Sequence, residues 1–177
     1  MYIIKLLILK LILLLALGIF VQSCQHSENQ LTETQKQDIT NAASAVVNKV
    51  FEYSNNLDFE SGLDHYSDAA DSYFVIDGKI HSLSDLKEAY KAVGPSVEDL
   101  HNTIESWNVQ VLSSDVVTFT LPVKLMLKLK GVPEYTGQLI WTATLQKQQG
   151  DWLIIHSHES WLNCNEVALA LSQAGNK

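Results

Sequence analysis

The sequence contains no arginine, and that absence excludes more than any single motif adds. The guanidinium is the side chain that grips phosphates and carboxylates through a planar, two-pronged fork, so this chain lacks the usual means of holding such groups. Its 12 lysines stand against 20 acids, a net charge of −8. A surface of that sign repels a nucleic-acid backbone, and no basic stripe offsets it, which removes nucleic acid as a partner. Cysteine is nearly as scarce, with only Cys24 and Cys164 present. There is no Gly-x-Ser-x-Gly nucleophile motif, no internal repeat, no coiled coil and no low-complexity block.

What is present begins with an export signal. Met1 to Lys10 carries Lys5 and Lys10, Leu11 to Val21 is an unbroken apolar run, and Val21-Gln22-Ser23-Cys24 follows directly. Charge, then apolar stretch, then small residues is the layout of a signal peptide. The four last residues resemble a bacterial lipobox, which implies cleavage before Cys24 and acylation of its sulfur; Gln22 departs from the small residue preferred there. The competing reading is an uncleaved anchor, since Tyr2 to Val21 is long enough to span a bilayer. On the first reading, residues 1–23 are a signal peptide and 24–33 a polar tether, and the protein sits at the cell envelope, lipid-anchored, facing the periplasm or the cell surface. Cys164 is then the one remaining thiol, which excludes an internal disulfide and suits burial better than reactivity. Removing 23 residues from 177 leaves 154, enough for one domain with a sizeable core.

From Thr34 the apolar period is helical. Ile39, Ala43, Val46, Val50 and Leu57 recur at three- and four-residue spacing, flanked by Ala42, Val47 and Phe51. Phe59, Leu63 and Tyr66 predict a short second helix. Tyr73 to Ile76 and Ile80-His81 predict a hairpin across Asp77-Gly78. Ser82 and Asp85 form a capping pattern for a third helix, whose buried face is Leu83, Leu86, Tyr90 and Val93 and whose stop is Gly94-Pro95.

The second half switches to period 2. Val117 to Leu129 alternates apolar with polar residues, with Pro122 marking an edge or a bulge, and Tyr135 to Leu145 repeats the alternation. Thr103 to Leu112 predicts an earlier strand, Trp152 to Ser160 a last one, and Gly150-Asp151 the turn before it. Helices first and an antiparallel meander second make an α+β domain.

Particular strings carry a family resemblance. Phe51 to Tyr66 with Asp58, the hairpin followed by a capped helix, and above all Gly150-Asp151-Trp152-Leu153-Ile154-Ile155-His156-Ser157-His158-Glu159-Ser160 resemble the SnoaL-like branch of the nuclear transport factor 2-like superfamily. The resemblance covers about 34–161 and leaves 162–177 as a tail. It implies a cone-shaped fold, three helices packed on a curved and mainly antiparallel sheet, with a ligand pocket between the two layers. It also implies that homodimers form through the sheet, whose polar face here still carries Met126 and Ile140. Ketosteroid isomerases and SnoaL-type cyclases in this superfamily move protons with pocket acids, whereas other members only bind or assemble. A gapless comparison anchored on Leu63 to Ala70 puts Phe74 at the isomerase's Asp position and Val50 at its Tyr position. A phenyl ring accepts no proton and an isopropyl group donates none, so isomerase chemistry of that design is disfavoured; a small gap would bring Asp71 or Tyr73 into play.

The remaining candidates lie on the last strand. By strict alternation His156 and His158 share a face with Trp152, Ile154 and Ser160, while Leu153, Ile155, Ser157, Glu159 and Trp161 face the other way. If the first face lines the cone, two imidazoles form a polar end to an apolar slot; if the second does, Glu159 and Ser157 are the pocket groups. Imidazoles in purely structural roles are the plainer alternative, and a metal site would need a third ligand that the local sequence does not supply. Trp107 is retained as a pocket candidate, although tryptophans are more often core or interface. No cofactor is expected. The leading expectation is an envelope-anchored module that binds a small, largely apolar molecule. The alternatives are an enzyme using histidine acid-base chemistry, of isomerase, cyclase or hydrolase type, and an assembly scaffold with a filled cone.

Overall fold

The computed structural model describes residues 30–76 and 78–162. The predicted signal peptide, the acylation site Cys24, most of the tether, Asp77, Cys164 and all but the first residue of the tail lie outside the described residues. Two units divide the chain, Met1–Thr32 and Glu33–Lys177, and the second is described from here on.

Helix α1 spans Glu33–Asn55 and buries Ala43 and Val47, four residues apart, with Ile39, Val46, Val50 and Phe51 packed beside them. Leu57, expected on this stripe, lies beyond the helix: it adopts φ 59°, and the N–H of Asp58 returns to the Tyr53 carbonyl at 2.9 Å. The chain thus reverses before helix α2, Phe59–Leu63, whose first turn is capped by Asp58 accepting from the Ser61 N–H at 3.2 Å. Asp58, part of the string that carries the family resemblance, is thus an exposed helix cap. Strands β1 (Tyr73–Ile76) and β2 (Lys79–His81) pair antiparallel. Helix α3, Leu83–Val93, starts from a complete capping box, in which Asp85 accepts from the Ser82 N–H at 2.9 Å while Ser82 accepts from the Asp85 N–H at 3.2 Å.

The predicted single strand over 103–112 is two strands, β3 (Val97–Ile104) and β4 (Asn108–Ser113), interrupted at Glu105–Trp107. Both pair with the same edge of β5 (Val116–Leu129), one after the other. Pro122 explains the interruption. Its carbonyl accepts from the Glu105 N–H at 2.9 Å, so its missing donor falls where β3 has ended and β4 has not begun, and no ladder bond is lost. Strand β6 (Tyr135–Gln148) pairs with β5 along nearly its whole length, and β7 (Asp151–Trp161) follows. The turn between them is Gln149-Gly150, both left-handed at φ 53° and 105°, one residue earlier than predicted and with the backbone sign that a two-residue hairpin requires.

The sheet order is β2-β1-β7-β6-β5-β3, with β4 beside β3 on the edge of β5. All neighbours are antiparallel except β1 and β7. This is the α+β cone of the nuclear transport factor 2-like fold, with its sheet curved and unclosed. Its core sits between α1 and the face carrying Val117, Phe119, Leu121, Val123, Leu139, Trp141, Ala143 and Leu145. Each large side chain buried there contributes about 1.5–3 kcal/mol, and Phe51 meets Trp141 edge to face at 5.4 Å.

Candidate functional site

Strand β7 builds the site, and a β-bulge decides which of its side chains enter it. The β6–β7 register runs Leu145↔Ile154 and then Thr144↔His156, so Ile155 is one residue in excess. The bulge sits where β7 changes partners on its other edge. Ile154 is bridged to Tyr66, donating to the His65 carbonyl and accepting from the Ser67 N–H, both at 2.9 Å. His156 begins the parallel pairing with Tyr73.

Because side chains alternate with a period of 2, one extra residue reverses every face beyond it. Trp152 and Ile154 face the helices before the bulge. After it Ser157, Glu159 and Trp161 do so, opposite Ala143, Trp141 and Leu139. His156 and His158 stand on the outer face, opposite Thr144 and Thr142. The shared face of the two histidines with Trp152 and Ile154, expected from strict alternation, is corrected by this bulge.

Tyr73 and Asp71 are also outside the cone. The Nδ1–H of His156 donates to the Tyr73 carbonyl at 3.2 Å, and the two rings lie 4.6 Å apart, an outer-face pair. Asp71 is exposed in the loop before β1. Trp107 lies between β3 and β4, its ring against Phe119 at 6.0 Å. Of the six pocket candidates, Glu159 alone lines the cavity.

That cavity has two adjoining lobes, of about 90 and 210 Å³. They share Ser54, Phe59, Tyr90, Asn102, Leu139 and Glu159, so Glu159 stands where the lobes meet. Val50, Phe51, Leu63, Tyr66 and Trp141 are among those completing the smaller lobe. Leu100, Leu125, Leu127, Leu129, Tyr135 and Trp161 are among those completing the larger. Phe59 and Tyr90 stack at 5.1 Å, joining α2 to α3 at the wall. Among the described residues no basic side chain lines either lobe.

Three local arrangements hold the polar groups. Asn55, on the last turn of α1, clamps Asn102 on β3: its Nδ2 donates to the Asn102 carbonyl at 3.1 Å and its Oδ1 accepts from the Asn102 N–H at 2.7 Å. The Asn102 amide in turn donates to the Ser54 hydroxyl at 3.2 Å. Tyr66 is hydrogen-bonded to Ser157 and lies close enough to Glu159 to feel its charge. Burial first, and that negative charge second, push the phenol well above the ordinary tyrosine range, while the Ser157 bond works the other way. Tyr66 therefore remains a protonated donor. Finally, the Tyr135 ring folds over Gly137, where a Cβ would stand 2.6 Å from its hydroxyl oxygen, so a larger residue there would make the ring move.

Sequence reasoning did not select Ser54, Tyr66, Tyr90 or Asn102 as site residues. Tyr66 was visible in the family resemblance and Tyr90 in the helix stripe, but the Asn55–Asn102 clamp joins residues 47 apart and has no local signature. Among the described residues no three His, Cys, Asp or Glu side chains converge where a metal ion could sit.

Comparison with known proteins agrees with this fold. Residues 43–163 match the family described as SnoaL-like domain. A proposed scytalone dehydratase from Novosphingobium aromaticivorans shares the fold with a TM-score of 0.67 at 10% identity, over 73% of this chain and 88% of that one. A hexachlorocyclohexane dehydrochlorinase from Novosphingobium barchaimii gives 0.65 at 12% identity, over 74% and 91%. A nuclear transport factor 2-like protein of unknown function from Shewanella oneidensis gives 0.55 at 21% identity, over 68% and 98%. At these identities the likeness is one of fold. No curated protein sequence matches the chain.

Proposed function

The chain belongs to the SnoaL-like domain family, and on that premise we propose that it binds a small, largely apolar molecule in its cone cavity while a lipid on Cys24 holds it at the cell envelope. The observation that carries the binding reading is the two-lobed cavity itself. Its walls are mainly aliphatic and aromatic, and a few placed polar groups interrupt them, the usual composition of a small-ligand site. Structural relatives named as a dehydratase and a dehydrochlorinase support a small-molecule role. The lipobox-like Cys24 and the apolar leader support the anchor. A homodimer through the outer sheet face, where Pro122, Met126 and Ile140 are half-buried, belongs to the same reading, and light scattering at micromolar concentration checks it.

Native mass spectrometry of the full chain extracted from membranes tests the function. The expected result is a small-molecule adduct on the wild type that is lost in Leu139→Trp, because Leu139 borders both lobes and an indole there obstructs the space where they meet. An adduct retained in that variant, or bare protein in both together with no uptake of apolar probes, overturns the reading. In the same spectra Cys24→Ser should keep its leader and lack the lipid mass; unchanged processing would remove the anchor.

A second reading rests on Glu159 and Tyr66. A carboxylate and a phenol on one cavity are a candidate base and a candidate donor, so acid-base chemistry, if it occurs, runs through them and not through the histidines.

A further inference from the structure

Asn102 stands on the inward face of β3, between the buried Leu100 and the core-packed Ile104, and it borders both lobes of the cavity. A polar residue in that row calls for an account of its hydrogen bonds. Asn55 Oδ1 already accepts from the Asn102 backbone N–H at 2.7 Å, so the end of the Asn102 amide that meets the same oxygen at 3.1 Å is its nitrogen. The other hydrogen on that nitrogen goes to the Ser54 hydroxyl at 3.2 Å. Both donors are spent on α1, and turning the amide over would set its oxygen against that of Asn55. The Asn102 Oδ1 is left as an acceptor with no partner among the described residues, and it is not one of the side-chain atoms that the protein encloses in that condition. Its direction is fixed by α1, and it is open to a donor from outside the protein.

Resting on the binding role proposed above, we propose that Asn102 is the specificity-determining residue of the cavity, its Oδ1 accepting a hydrogen bond from a hydroxyl on an otherwise apolar molecule. The apolar body lies against Phe59, Tyr90 and Leu139, which line both lobes as Asn102 does. A hydroxyl that replaces water at Oδ1 keeps the bond, whereas a ketone or a hydrocarbon there displaces the water and offers no donor. Shape alone would admit many hydrophobes, and Asn102 sorts them by the presence of that donor. Ser54 is a positioning residue, acting through the Asn102 amide. Because Asn55 also clamps the Asn102 backbone, β3 stays pinned to α1 when the Asn102 side chain is removed.

Three naphthalenes with equal numbers of non-hydrogen atoms test this on the full chain in lipid nanodiscs, with empty nanodiscs as reference: 1-(2-naphthyl)ethanol, 2-acetylnaphthalene and 2-isopropylnaphthalene. In that order they carry a hydroxyl, an acceptor alone, and neither. The alcohol should bind about tenfold more tightly than the ketone. Asn102→Ala should abolish that preference while 2-isopropylnaphthalene, which makes no hydrogen bond, keeps its affinity. Ser54→Ala loosens the amide without removing it and should narrow the preference, which carries the test if Asn102→Ala does not fold. Equal binding of alcohol and ketone by the wild type, or a preference unchanged in Asn102→Ala, overturns the role of Asn102 and leaves the binding role standing. If Asn102→Ala does not fold, an unchanged preference in Ser54→Ala overturns it in the same way. Failure of all three probes to bind overturns the binding role and the inference with it.

Discussion

The two halves of β7, before and after Ile155, obey the same alternation in opposite phase. Before the bulge the even-numbered Trp152 and Ile154 are core residues; after it the odd-numbered Ser157, Glu159 and Trp161 face inward. A strand that kept one phase would aim two imidazoles into the cone and expel its carboxylate. The difference teaches that cavity chemistry in this fold depends on the count of residues along a strand as much as on their kinds.

The comparison can be broken most severely by changing that count. One alanine inserted between His156 and Ser157 should turn Ser157, Glu159 and Trp161 outward and cost more than about 4 kcal/mol. Deleting Ile155 removes the excess residue without changing any face and should cost clearly less. Urea unfolding of the two variants makes the contrast, and equal losses would mean that the bulge does not set the phase.

A smaller effect follows from the inner half. Tyr66→Phe should cost about 1 kcal/mol at neutral pH through the lost hydrogen bond to Ser157. Its pH dependence is more diagnostic. The Tyr66 phenol is raised above its ordinary value of 10.0, so the folded state keeps a proton that the unfolded chain releases. The stability tied to that proton is complete below pH 10 and falls as the pH rises further. Thermal melts of wild type and Tyr66→Phe should therefore converge above pH 10, and parallel melting curves would count against a phenol buried beside Glu159.

The smallest effect belongs to the outer half. His156→Gln with His158→Gln should change stability by within about 0.5 kcal/mol, as surface substitutions usually do, and leave binding of 2-acetylnaphthalene unchanged. A tenfold loss of affinity would return the histidines to the site.

Much of the fold was legible locally. Helix α3 could be read from Ser82 and Asp85 because a capping box is a contact between residues three apart, and β5 and β6 from uninterrupted alternation. The break between β3 and β4 was not, because it depends on Pro122 meeting them across a strand pairing. In the candidate site Glu159 was visible as a polar residue in an apolar strand. Tyr66, Asn102 and Ser54 became site residues only when β7, β3 and α1 were brought together.

By itself the sequence determined most of the elements and the charge balance: helical and strand periods are local properties of the chain, and a composition without arginine holds in any fold. Only the tertiary structure decided which face of β7 lines the cavity. Nothing within 151–161 signals that Ile155 is in excess. The bulge arises because one edge of the strand must pair first with Tyr66 and then with Tyr73 while the other stays in register with β6, and those partners come from distant parts of the chain.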